Sequence, residues 1–138
     1  MALKVIGNMY GDYHAKLEDG IASTSARTAG EAVYVSSGKW VVSNTNGVID
    51  GIVIKGCASN GYPVVEYVVP GAMIEADLEG TLSANLVAGV KTAVLVADSD
   101  NVDATKYAGG HLRVLSVDST NSKIVVVPTK TFLYTTST

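Results

Sequence analysis

A chain of 138 residues and 14.3 kDa is the size of one domain, long enough to bury roughly two-thirds of its unfolded surface around a single core. Hydrophobic residues make up 47% and charged residues 17%, with a mean hydropathy of +0.27, so there is ample apolar surface to offset chain entropy and a disordered chain is excluded. The net charge of −3 and pI near 5.2 provide no basic field for nucleic acid or anionic lipid, and neither is expected as a direct partner.

The first eight residues carry one cation, Lys4, and no apolar stretch of about 7–15 residues. No secretory leader is therefore expected, and synthesis is expected in the cytoplasm. Residues 1–27 show no clear strand alternation, which predicts an N-terminal arm that orders against something else. A helical turn or two is expected at residues 13–19.

From residue 28 the periodicity points to strands. Residues 32–36 and 39–42 flank Ser37-Gly38, a tight hairpin. Residues 49–57 and 62–69 flank Ala58-Ser59-Asn60-Gly61, where Asn-Gly is the strongest short-range hairpin signal. Glu66 interrupts the apolar face of the second of these strands, and Pro70-Gly71 ends it. Strands follow at residues 72–77, 92–97, 112–118 and 123–127, with a short helical turn at 102–107 and an edge strand at 132–134. Eight or nine short strands with regular turn signals predict an all-β domain over residues 28–134, a small β-barrel or β-sandwich, with a loose tail at 135–138. Gly30 to Pro70 and Gly89 to Pro128 frame two similar halves, but their turn asparagines fall out of register.

No run approaches the roughly 18 apolar residues of a membrane span. The single cysteine, Cys57, cannot form an internal disulfide and is read as a small core hydrophobe in a protein made under reducing conditions. His14 and His111 are too few for a histidine-rich metal site, and no CxxC, HxH or HExxH spacing occurs. No serine lies in a GxSxG elbow. Glu75, Asp77 and Glu79 share one strand face, more in keeping with a solvated or edge-protecting row than with an acid–base pair. The acidic stretch at 98–103 lacks the glycine and glutamate of an EF-hand loop, leaving a plain polar loop or a weak calcium site. Trp40 beside Lys39 is one aromatic–cation pair, too little for a nucleic-acid platform. It reads as a core residue or as an anchor at an oligomer or shell interface. The sequence predicts no enzyme, no cofactor and no metal centre. An apolar, weakly charged β domain exposes patches that partners cover, which favours a structural protein.

The run TAGEAVYVSSGKW at 28–40, followed by NGVIDGIVI at 46–54, resembles the small head decoration (cement) proteins of tailed bacteriophages, in which an AGxx(V/L)Y strand, a GK hairpin and a (D/V)G(I/V) strand recur. The segments VVPGAMIEA at 68–76 and LRVLSVD at 112–118 are also similar to phage structural barrels. The likeness spans about residues 28–128. It implies a non-enzymatic virion protein on the capsid exterior, a homotrimer that binds the expanded shell and bridges subunits of the major capsid protein. It further implies that the arm meets the capsid, adding a strand to a capsid edge, with Met9, Tyr10 and Tyr13 as apolar anchors. Two other readings stay open: a phage tail or receptor-binding structural module, and a small ligand-binding β-barrel.

Overall fold

The computed structural model describes residues 3–43, 48–96 and 99–129. Ten strands run β1 (Lys4–Asn8), β2 (Leu17–Glu18), β3 (Ala32–Ser36), β4 (Lys39–Val42), β5 (Gly51–Lys55), β6 (Val64–Tyr67), β7 (Ala72–Glu79), β8 (Val102–Asp103), β9 (Leu112–Asp118) and β10 (Lys123–Pro128). They form two sheets, one ordered β1-β7-β10-β9 with β8 parallel to β7, the other β2-β6-β5-β3-β4. All remaining strand pairs are antiparallel, neither sheet closes on itself, and the described residues contain no helix. The fold is thus all-β and has the form of a β-sandwich, not a closed barrel.

The main core lies between the sheets. Leu3, Val5, Ile74, Ala76, Leu112, Val114, Ile124 and Val126 from the first sheet meet Ala32, Ile49, Ile52 and Val68 from the second. Along β7 the burial alternates strictly from Ala72 to Asp77, as expected of a strand with one face inward. The second sheet differs, because its other face is buried too. There Val33, Trp40, Val53 and Val65 form a smaller core with Ile21, Val35 and Tyr67 packed against it. Burial on both faces explains why Ile52 and Val53 are adjacent and both enclosed.

Residues 22–27 roof this second core. Trp40 N–H donates to Ala22 O at 2.9 Å and Thr24 N–H to Trp40 O at 3.1 Å, while Ser23 N–H reaches Gly61 O at 2.8 Å. Arg27 and Cys57 exchange backbone hydrogen bonds at 2.9 and 3.0 Å, so the segment runs from the β4 edge to the β5–β6 hairpin. Gly51 makes the room beneath: a Cβ there would lie 2.3 Å from Val65 Cγ1 and 3.5 Å from the Trp40 ring.

Both expected hairpins form, with positive φ at Ser37, Gly38 and Asn60. Several expectations are corrected. Residues 13–19 and 102–107 are not helical; they contain β2 and β8, two-residue strands held by neighbours. Of the expected strand at 92–97, the described residues, 92–96, make only single bridges, at Ala93 and Leu95. The boundary at residue 28 between arm and domain does not coincide with a boundary in the fold, since residues 4–8 are paired with β7 and Leu3 and Val5 sit in the main core. The expected strand at 132–134 and the tail at 135–138 lie outside the described residues.

Candidate interaction surface

The segment joining β1 to β2 passes from one sheet to the other as an exposed strap. Its first anchor is a corner against the β6–β7 turn. Asn8 Nδ2 donates to Pro70 O at 2.9 Å, Asn8 Oδ1 accepts from Tyr10 N–H at 2.8 Å, and Met9 N–H donates to Gly71 O at 2.9 Å. Gly71 adopts φ +83°, and a Cβ there would fall 2.4 Å from the Tyr10 ring. The Tyr10 ring therefore lies on the backbone of the turn, held in place yet 75% exposed. From residue 10 to residue 17 every side chain is exposed.

The second anchor is slighter. Leu17 and Glu18 pair with Glu66 and Val65, and Tyr67 N–H donates to Lys16 O at 2.8 Å. Tyr67 Oη donates to Glu18 Oε1 at 2.9 Å and Gly20 N–H to Glu18 Oε2 at 2.8 Å. These bonds, with that from Gly20 the strongest, hold the Glu18 carboxyl below its ordinary pKa.

Of the residues singled out from sequence, Met9, Tyr10 and Tyr13 are brought together on this strap, all exposed. Trp40 lies in the second core. It is 0% exposed and enclosed by its own chain, because the roof at 22–27 closes over it; its ring packs against Tyr67 with centroids 6.0 Å apart. Sequence reading left a core place and an interface place both open for Trp40, because the roof has no strand pattern of its own. Cys57 is partly buried beside Arg27.

Glu66 was legible only as an interruption in an apolar run. Its register partners Ile52 and Leu17 place it on the inward face of the second sheet, where it is 6% exposed and its Oε2 accepts no hydrogen bond. Burial pushes its carboxyl pKa up.

The outer face of the first sheet carries the charged row. Lys4, Glu75, Val125 and Ser116 are in register across the strands, and Asp77, Lys123 and Asp118 form the next row. Lys123 Nζ is paired with Asp77, which holds the ammonium pKa up. A shallow concavity of about 410 Å³ lies over this face, lined by Glu75, Ser116, Asp118, Asn121, Lys123, Ile124 and Val125. The acidic row thus lies on a central strand, β7, rather than on an edge.

Of the stretch at 98–103, the described residues, 99–103, do more than cap a loop. Ser99 O accepts from Ala32 N–H at 2.8 Å and Asn101 Nδ2 donates to Glu79 Oε1 at 3.1 Å, which ties the two sheets together. Asp103 Oδ1 accepts from Thr105 N–H and Oγ1. Among the described residues no group of three His, Cys, Asp or Glu side chains is placed to hold a metal ion. His14 is exposed, and the backbone carbonyl of His111 accepts from Thr129. No known protein-family model matches the chain, and no curated protein matches it.

Proposed function

We propose that this chain is a structural virion protein that binds the outside of an expanded phage capsid as a homotrimer and bridges subunits of the major capsid protein. The observation that carries this reading is the strap: Met9, Tyr10 and Tyr13 stand exposed on a segment fixed to the sandwich at both ends. Aromatic residues held in place lose little entropy on docking and are favoured at the centres of interfaces. The low charge of the chain and its resemblance over residues 28–128 to decoration proteins point the same way. Repetition over a shell then turns a modest contact into firm attachment.

Co-sedimentation with capsids that lack the protein tests this. Saturable binding to expanded but not unexpanded shells is expected, and replacing Met9, Tyr10 and Tyr13 together by alanine abolishes it without unfolding the chain. A well-folded protein that binds neither shell overturns the proposal.

A further inference from the structure

We propose that Glu66 is a proton-controlled latch: with its carboxyl neutral β2 stays on the second sheet and the strap is held at both ends for its partner, and with its carboxylate ionised β2 lifts and the strap is held at β1 alone. This rests on the reading of the strap as the contact surface, and names what regulates it.

Three observations meet at this place. The Glu66 side chain is enclosed, with Oε2 unpartnered, so its ionised form lacks both water and a hydrogen-bond donor there. The element beside it, β2, is an edge strand of two residues, and Leu17, directly across from Glu66, is itself 60% exposed. Beyond it residues 10–16 are exposed throughout, so lifting β2 uncovers little apolar core and gives Glu66 access to water.

No neighbouring charge replaces the missing water. Across β5 the partner is Ile52; Asp50, two residues before it and also buried, is a carboxylate that accepts from the Val35 amide and offers Glu66 no donor, and Lys55 is exposed. On β2, Glu18 lies on the opposite face with Tyr67, while Lys16 and Asp19 are exposed. The inward residues of the first sheet are apolar; its Lys4, Glu75, Asp77 and Lys123 lie on the outer face. Neither ion pair found among the described residues involves Glu66. The raised pKa has the matching direction and cause. In the closed state the proton is held more tightly than in the open one, so opening becomes more favourable as pH rises between the two pKa values. Each unit of separation is worth about a tenfold change in the opening equilibrium.

The test is hydrogen–deuterium exchange of the full chain, free of capsid, from pH 4 to pH 8, comparing wild type with Glu66→Gln at each pH so that intrinsic exchange cancels. Protection of the Tyr67 amide, which donates to Lys16 O across the β2–β6 pair, is expected to fall with rising pH in the wild type and to stay level in Glu66→Gln. His14 is retained in both proteins, so a change it drives appears equally in each. Should Glu66→Gln fold poorly, Glu66→Met supplies the same neutral comparison. Parallel profiles in wild type and variant overturn the latch. Capsid co-sedimentation is read separately: its failure removes the partner and leaves the exchange result standing, whereas parallel exchange profiles remove the latch and leave capsid binding standing.

Discussion

Trp40 and Gly51 define the second core between them. The indole is wholly enclosed and Gly51 supplies the space beneath it, so the two substitutions fail for opposite reasons. Trp40→Ala leaves a void and should cost about 3–5 kcal/mol. Gly51→Ala overfills the same region against Val65 and the Glu66 carbonyl and should cost about 1–3 kcal/mol. Urea denaturation measures both, followed by far-ultraviolet circular dichroism because Trp40 is the one tryptophan of the chain. Carboxylates give the residue scale a second signature. Asp118 accepts hydrogen bonds from the Asn121 side chain and from the Asn121 and Thr120 amides, which hold its pKa down. Its contribution is present at neutral pH and disappears as pH falls through that lowered pKa. Glu66 has the opposite sign: its pKa is raised, so stability is lost as pH climbs from the ordinary carboxylate value to the raised one. Denaturation midpoints across pH should therefore lose their acid limb in part with Asp118→Ala, and lose the decline on the higher-pH side with Glu66→Gln.

At the scale of elements, the corner where β1 ends is the most constrained feature of the strap. Gly71→Ala meets both a positive φ and the Tyr10 ring, so the ring must leave the turn. The expected result is a lower thermal midpoint together with weakened capsid binding, whereas Tyr10→Ala should weaken binding with little change in the midpoint. The hairpins were legible from Ser37-Gly38 and Asn60-Gly61 because turn chemistry is local. The β1 strand was not, since KVIGN contains a glycine and a bulge between Val5 and Gly7 breaks its alternation. Neither were β2 and β8, for two residues show no period and their pairing is dictated by β6 and β7. The same limit left the burial of Trp40 as one of two readings, since it depends on a roof contributed from residues 22–27. Met9, Tyr10 and Tyr13 were singled out through the resemblance, in a segment without pattern, but the rigidity of the corner was not legible, because it depends on Pro70 and Gly71, some sixty residues away.

For the whole molecule, the placement of β1 changes how the proposed capsid contact can be tested. Removing residues 1–8 takes Leu3 and Val5 from the main core and leaves the edge of β7 unpaired. Such a truncation is expected to melt well below the full chain in a thermal scan, so a loss of capsid binding by it would report unfolding rather than a missing contact. Point substitutions on the strap separate the two. The loop at 99–101 also links the sheets, since Ser99 O accepts from Ala32 N–H of the second sheet while Asn101 donates to Glu79 of the first.

The strap's unequal anchors have a mechanical consequence. A pull along the chain at Met9 meets β1 end-on and loads the four β1–β7 residue pairs in shear, so that their bonds share the force. At the other end the hold on the second sheet is two residue pairs, Leu17 with Glu66 and Glu18 with Val65, which a pull across the strand opens one after the other. Were the proposed attachment to a shell to put the strap under tension, it would yield first at β2 and lengthen while β1 keeps its grip, making the segment a force-limiting tether rather than a rigid strut.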